Sequence, residues 1–192
     1  EKIKNIGVPI SIDTTKAIVA EQAVKLGAKI INDISGLTFD PEMVKVVAKT
    51  NTYTVIMHIK GNPKNMQLNP SYNDLIGEIK EFFQKNIALA LEHNISKNKI
   101  ILDPGIGFGK TVEHNLEILR NLGLFKDIGF PLLLGTSRKS FITKISGVPI
   151  EERLEGSIAT AVTGVAAGVD ILRVHDVKET KRAIMIADAI YR

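Results

Sequence analysis

The sequence contains no cysteine. A disulfide framework and a thiolate metal site are therefore excluded, and nothing asks for an oxidising compartment. No apolar run approaches the roughly 18 residues of a membrane span, and no signal-peptide pattern opens the chain, so a cytoplasmic protein without a membrane partner is expected. Runs of one charge are also missing. The 25 Lys and Arg against 21 Asp and Glu give a formal net charge of +4, but the basic residues are scattered. That argues against nucleic acid as a partner and leaves room for a locally basic pocket that takes a small anion. Asn94-Ile95-Ser96 matches the glycosylation acceptor pattern, an incidental match without a secretory signal.

What is present suits one globular domain over residues 1–192: 44% of the residues are hydrophobic and 24% charged, enough to bury a sizeable core. Six times, a short apolar run ending in polar residues is followed by a turn and a longer stretch with helical periodicity. The runs are residues 8–13, 29–33, 54–58, 99–103, 131–135 and 170–175. Apolar at consecutive positions, they read as parallel strands buried on both faces. Between them, Asp40-Pro41 reads as an N-cap with proline at the first helical position, and Gly27 and Gly123 as helix stops. The longest predicted helix, 72–93, places Leu75, Ile79, Phe82, Phe83, Ile87 and Leu91 on one stripe. A second, from Glu151 to Gly168, is rich in Ala and Gly and suits close packing on the sheet.

Strand-helix alternation fits an open doubly wound sheet or a closed barrel. The polar ends separate them. Asp13, Asn32-Asp33, His58, Asp103, Ser137-Arg138-Lys139 and Arg173 with His175 finish all six runs. Functional groups contributed by many strands to one rim are how a barrel builds a site, whereas an open sheet gathers them at one switch point. The expected fold is α/β, a (β/α)8 TIM barrel of which this sequence holds six of the eight βα units.

The segment Asp103-Pro104-Gly105-Ile106-Gly107-Phe108-Gly109-Lys110-Thr111 superficially suggests a phosphate loop. Its spacing refuses that: Pro104 stands where a Walker A loop needs its first glycine, and Lys110 where a dinucleotide pattern needs its third. What remains is a carboxylate at a strand end, followed by a flexible loop. Asp13 and Asn32 occupy matching positions. Two carboxylates and an amide around one pocket suit a planar heterocycle with amino and ring N–H donors, a pterin-like ligand. The strand period of two allows only one of Asn32 and Asp33 to face the pocket, and Asn32 is chosen. Arg173 and His175, two apart at the end of the last run, suit a diphosphate. Ser137-Arg138-Lys139-Ser140 sets two cations and two hydroxyls at the rim, suited to ring acceptors and a carboxylate. His58 has no metal partners at ligand spacing and is assigned no catalytic role.

Taken together, Ser11-Ile12-Asp13-Thr14, Ile30-Ile31-Asn32-Asp33-Ile34-Ser35, Met57-His58 with Gly61-Asn62-Pro63, the Asp103–Lys110 segment, Ser137-Arg138-Lys139-Ser140 and Arg173-Val174-His175-Asp176 resemble the dihydropteroate synthases, in that family's order and over essentially the whole chain. The resemblance implies a transferase of folate biosynthesis that joins p-aminobenzoate to 6-hydroxymethyl-7,8-dihydropterin diphosphate, releasing diphosphate with Mg2+ assisting. It also implies a sulfonamide target and a homodimer. By resemblance, Asp13, Asn32, Met57, Asp103, Gly135 and Lys139 bind the pterin, Arg173 and His175 the diphosphate, and Phe108, Arg138, Lys139 and Ser140 the p-aminobenzoate, with Lys139, Arg173 and His175 the catalytic set. The family's metal-contacting Asn belongs to the first two units, so no metal ligand is expected in this chain, and pterin recognition is expected where turnover is not. The competing barrel, a methyltetrahydrofolate-corrinoid methyltransferase, has no need of Ser137-Arg138-Lys139-Ser140 or Arg173-Val174-His175. A non-catalytic pterin-binding fragment is the remaining alternative.

Overall fold

A computed structural model of the chain describes Ile3 and residues 6–192. Six parallel strands follow in sequence order: β1 (Ser11–Asp13), β2 (Ile30–Asp33), β3 (Tyr53–Met57), β4 (Ile100–Asp103), β5 (Leu133–Leu134) and β6 (Ile171–Leu172). The intervening helices are α1 (Ala17–Lys25), α2 (Met43–Thr50), α3 (Leu75–Glu92), α4 (Val112–Arg120), α5 (Leu122–Lys126), α6 (Ser140–Ser146) and α7 (Leu154–Ala166), and α8 (Val177–Tyr191) closes the order. One ladder joins β1 to β4 and another joins β5 to β6. The two are linked where Leu102 N donates to Pro131 O at 2.9 Å, beside a parallel bridge from Leu102 to Leu132.

Both faces of this sheet are apolar, for different reasons. Ile31, Ile56, Leu102 and Leu134 point outward into the large core shared with the helices, while Val55, Ile101 and Leu133, with Ile30 and Ile171 against them, form a smaller cluster on the inner face. Consecutive apolar residues are thus used on alternate sides. In a flat sheet β2 and β6, four strands apart, would lie about 19 Å from each other. Arg173, just past β6, nevertheless reaches Asn32 of β2 at 3.1 Å. The sheet is therefore curled as in a barrel wall.

Several boundaries differ from those expected. Gly123 lies inside α5, and α4 ends at Asn121 instead. Asp40 does not cap α2, which starts at Met43; its carboxylate accepts from Glu42 N at 3.0 Å and from Ala17 N at 2.8 Å, so it caps the start of α1 across the loop. In α3, capped by Asp74, the stripe buries Leu75, Ile79, Phe83 and Ile87, but Leu91 is exposed near the last turn. In α7 the small residues do allow close packing: a Cβ on Gly156 would stand 2.5 Å from Ile142, and one on Gly164 2.7 Å from Leu134. Strands β5 and β6 are shorter than their apolar runs, although the pairing continues one step further where Arg173 N donates to Leu134 O at 3.0 Å. Among the described residues no helix is long and apolar enough to cross a membrane.

Candidate functional site

The inner face generates the site by simple counting. Two positions beyond Ile30, Val55, Ile101, Leu133 and Ile171 stand Asn32, Met57, Asp103, Gly135 and Arg173, with Asp13 in register beside Asn32 on β1. Side chains two apart share a face, so these residues form a polar layer resting on the apolar one. Met57, in register with Asp103, is its fully buried apolar member.

Within the layer the hydrogen bonds form one network. Asn32 Nδ2 donates to Asp13 Oδ2 at 3.0 Å, and Arg173 Nη1 donates to Asn32 Oδ1 at 3.1 Å. Arg173 Nη2 donates to Asp103 Oδ2 at 2.8 Å, while the other oxygen of Asp103, a fully buried residue, accepts from Gly105 N at 2.8 Å. Gly135 makes room for the guanidinium, since a Cβ there would lie 2.7 Å from Arg173 Nη2. The neighbouring Asp33 faces the other way, as the strand period requires. Its carboxylate accepts from Ser35 N, Ser35 Oγ and Leu37 N and shapes the loop after β2, and burial pushes its pKa up against those bonds.

Above the layer opens a cleft of about 290 Å³ lined by Asp13, Ile34, Phe108, Gly135, Ser137, Lys139, Arg173, Val174 and His175. Lys139 Nζ sits over the Phe108 ring, 4.1 Å from its centroid. Burial lowers the Lys139 pKa, with the Asp103 carboxylate opposing and the Arg173 guanidinium reinforcing the shift. His175 is exposed at the cleft, where its Nδ1 and the Ser137 hydroxyl are 3.0 Å apart.

Five expected members of the set do not line this cleft: Asn32, Met57 and Asp103 stand in the layer beneath it, and Arg138 and Ser140 lie outside it. Arg138 adopts a left-handed backbone, φ +56°, and its guanidinium pairs bidentately with Asp176, the Nε bond to Oδ2 being 3.0 Å. That ion pair is also what holds the Arg138 pKa up. Ser140 is exposed at the first residue of α6. Conversely, Ile34 and Val174 line the cleft but lie outside the expected ligand set, each next to a polar strand end, which is the sequence signal that points to them; Ser137, expected at the rim, lines the cleft as well.

A family model described as a pterin binding enzyme matches residues 1–175. The chain belongs to that family. Among the pterin-binding enzymes it is similar to the dihydropteroate synthase of Synechocystis sp., 49% identical over 98% of this chain and 66% of the relative. Of solved structures, it is similar to the Yersinia pestis dihydropteroate synthase with a sulfonamide drug complex, with a TM-score of 0.96 at 42% identity over 98% of this chain and 69% of that one. It also matches a dihydropteroate synthase from Clostridium difficile determined in the presence of pteroic acid, with a TM-score of 0.94 at 48% identity over 100% and 71%. The chain thus spans just under two thirds of the length of the Synechocystis relative.

Proposed function

We propose that this chain carries the pterin and diphosphate half of a dihydropteroate synthase site, in a cytoplasmic enzyme of folate biosynthesis that condenses 6-hydroxymethyl-7,8-dihydropterin diphosphate with p-aminobenzoate. The observation that carries the reading is the position of Arg173. Its planar N–C–N donors lie on Asn32 Oδ1 and Asp103 Oδ2. A pterin's 2-amino and ring N–H groups have the same guanidine-like pattern, so the guanidinium holds the pterin's place on those acceptors. When the pterin takes over Asn32 and Asp103, the displaced guanidinium is freed for the ligand's diphosphate, beside His175.

Two bond changes follow at the pterin methylene carbon. The bond from carbon to the diphosphate oxygen breaks with its electron pair leaving on oxygen, and the amine of p-aminobenzoate then forms a C–N bond and gives up a proton. What such a step requires is positive charge and hydrogen-bond donors where the departing oxygen becomes anionic; Arg173 and Lys139 bring the charge to that space, and the His175 ring lies beside them. Phe108, held against Lys139, offers a face for the arylamine and for sulfonamides that imitate it. Mg2+ enters this reading as a companion of the diphosphate. Mg2+ keeps several waters and takes few protein ligands beside a substrate's phosphates, and Asp103 is already engaged by Arg173 and Gly105, so none of this chain's residues is assigned to it. No step assigned to them passes through it. The homodimer is supported by the exposed Met185, Ile186 and Ile190 along α8.

Calorimetric titration with 6-hydroxymethylpterin and with its diphosphate tests the reading. Asp103→Asn is expected to weaken both about tenfold or more, the worth of one charge-assisted hydrogen bond. Arg173→Met is expected to weaken the diphosphate form by a similar factor and leave the bare pterin unweakened. Wild-type affinity in Asp103→Asn would sink the proposal.

A further inference from the structure

Lys110 has no place in the scheme above, yet it is 3% exposed. Burying an ammonium group is costly unless it is compensated, and a methionine would fill similar space without that cost. The compensation is specific. Nζ donates to His58 Nδ1 at 2.9 Å and to Phe108 O at 3.0 Å, with His58 O 3.5 Å away. The ring it grips is itself fixed, edge-on to Phe82 at 5.0 Å.

These bonds close the underside of the loop from Pro104 to Lys110. Gly105 and Gly109 in that loop have φ of +69° and +66°, and a Cβ on them would stand 1.9 Å from His58 O and 2.6 Å from Lys60 O. From outside, Gln67 Nε2 donates to Gly107 O at 2.5 Å and Tyr72 Oη to Gly109 O at 2.8 Å. From α4, Asn115 Oδ1 accepts from Gly107 N at 2.7 Å. Phe108 is the residue this arrangement presents to the cleft, with Lys139 over its ring.

We infer that Lys110 is a positioning residue: by gripping the Phe108 carbonyl and the His58 ring it sets where the Phe108 ring and the Lys139 ammonium face the cleft, and so governs the arylamine side of the site. The inference rests on the proposed synthase reading for what that side binds. It does not rest on it for the loop geometry. Burial lowers the Lys110 pKa to about 7, with Asp103 opposing and Lys139 adding to the shift, so the junction also works as a neutral amine, which can still donate two hydrogen bonds.

The test compares wild type with Lys110→Met, Lys110→Arg and His58→Phe; the last removes the acceptor and keeps an aromatic against Phe82. Amide hydrogen exchange is measured at residues 107–109 and at residues 31–33 in the free protein. Calorimetry then measures 6-hydroxymethylpterin alone, and p-aminobenzoate in the presence of that pterin and diphosphate. Lys110→Met and His58→Phe are expected to speed exchange at 107–109 about tenfold with residues 31–33 unchanged. In Lys110→Met, p-aminobenzoate affinity should fall about tenfold while pterin affinity stays within about twofold, and Lys110→Arg should recover part of both losses. Unchanged exchange at 107–109 overturns the inference, and so does an equal loss of both ligands, which would mark a merely structural lysine. Failure of wild type to bind pterin refutes the synthase reading instead, and the exchange comparison still decides the role of Lys110.

Discussion

Lys110 and His58 are both buried and hydrogen-bonded to each other, so the cost of keeping them in the interior depends on pH. An unfolded chain holds the lysine proton up to about pH 10.4, whereas the folded chain releases it near 7. Between those values the unfolded state binds more protons, so this group makes stability rise with pH from about 7 to about 10. Lys110→Met is expected to lack that rise, which urea midpoints of both proteins at pH 7 and 9.5 measure. His58 acts on the acid side: its pKa is lowered far below the usual value by burial and then by the Lys110 and Lys60 charges. Its share of stability is lost as pH falls below about 6.5, where the unfolded imidazole takes up a proton that the folded one refuses. At this scale the sequence is legible wherever the strand period alone decides direction. Asn32 faces Arg173 and Asp33 faces away, as counting by two predicts. Arg138 is not legible, because its direction comes from a left-handed backbone and from Asp176, 38 residues later.

Among the elements, two glycines show how differently the same residue type can be used. Gly105 combines φ +69° with a backbone oxygen 1.9 Å from where a Cβ would stand, so Gly105→Ala is expected to cost about 2 kcal/mol or more, through strain and displacement of the loop. Gly123 lies within α5, and a methyl group added there would meet nothing within 4 Å. Gly123→Ala is expected to stabilise by up to about 1 kcal/mol from helix propensity. Thermal or urea unfolding of the two variants, which should shift in opposite directions, checks both. The expectation that Gly123 stops a helix fails because the chain turns at Asn121 and immediately resumes a helix that buries Leu122 and Phe125. Tertiary burial there outweighs a local breaker. Asp40 fails as a cap of α2 for a related reason: its carboxylate is taken by Ala17 N, on another helix.

Across the whole molecule, stability should follow the position of each strand in the curled sheet. Strands β3 and β4 are paired on both sides and buried over most or all of their length, while β1 carries exposed Ser11 and Asp13 and β6 is a half-buried pair of residues. Native-state hydrogen exchange is expected to be slowest in β3 and β4 and fastest in β1 and β6; uniform protection across all six strands would contradict this. The alternation of apolar runs and amphipathic stretches was enough to determine six parallel βα units, their order, and which strand ends carry polar groups, because side-chain period and burial are local properties of the chain. Only the tertiary structure decided that the sheet curls far enough for Arg173 to meet Asn32 across four strand spacings, that its guanidinium rests on Asp103, and that Lys110 is turned inward to His58. Those contacts join residues 52 to 141 positions apart, and their geometry depends on the curvature of the sheet and on helix packing, which no short stretch of sequence encodes.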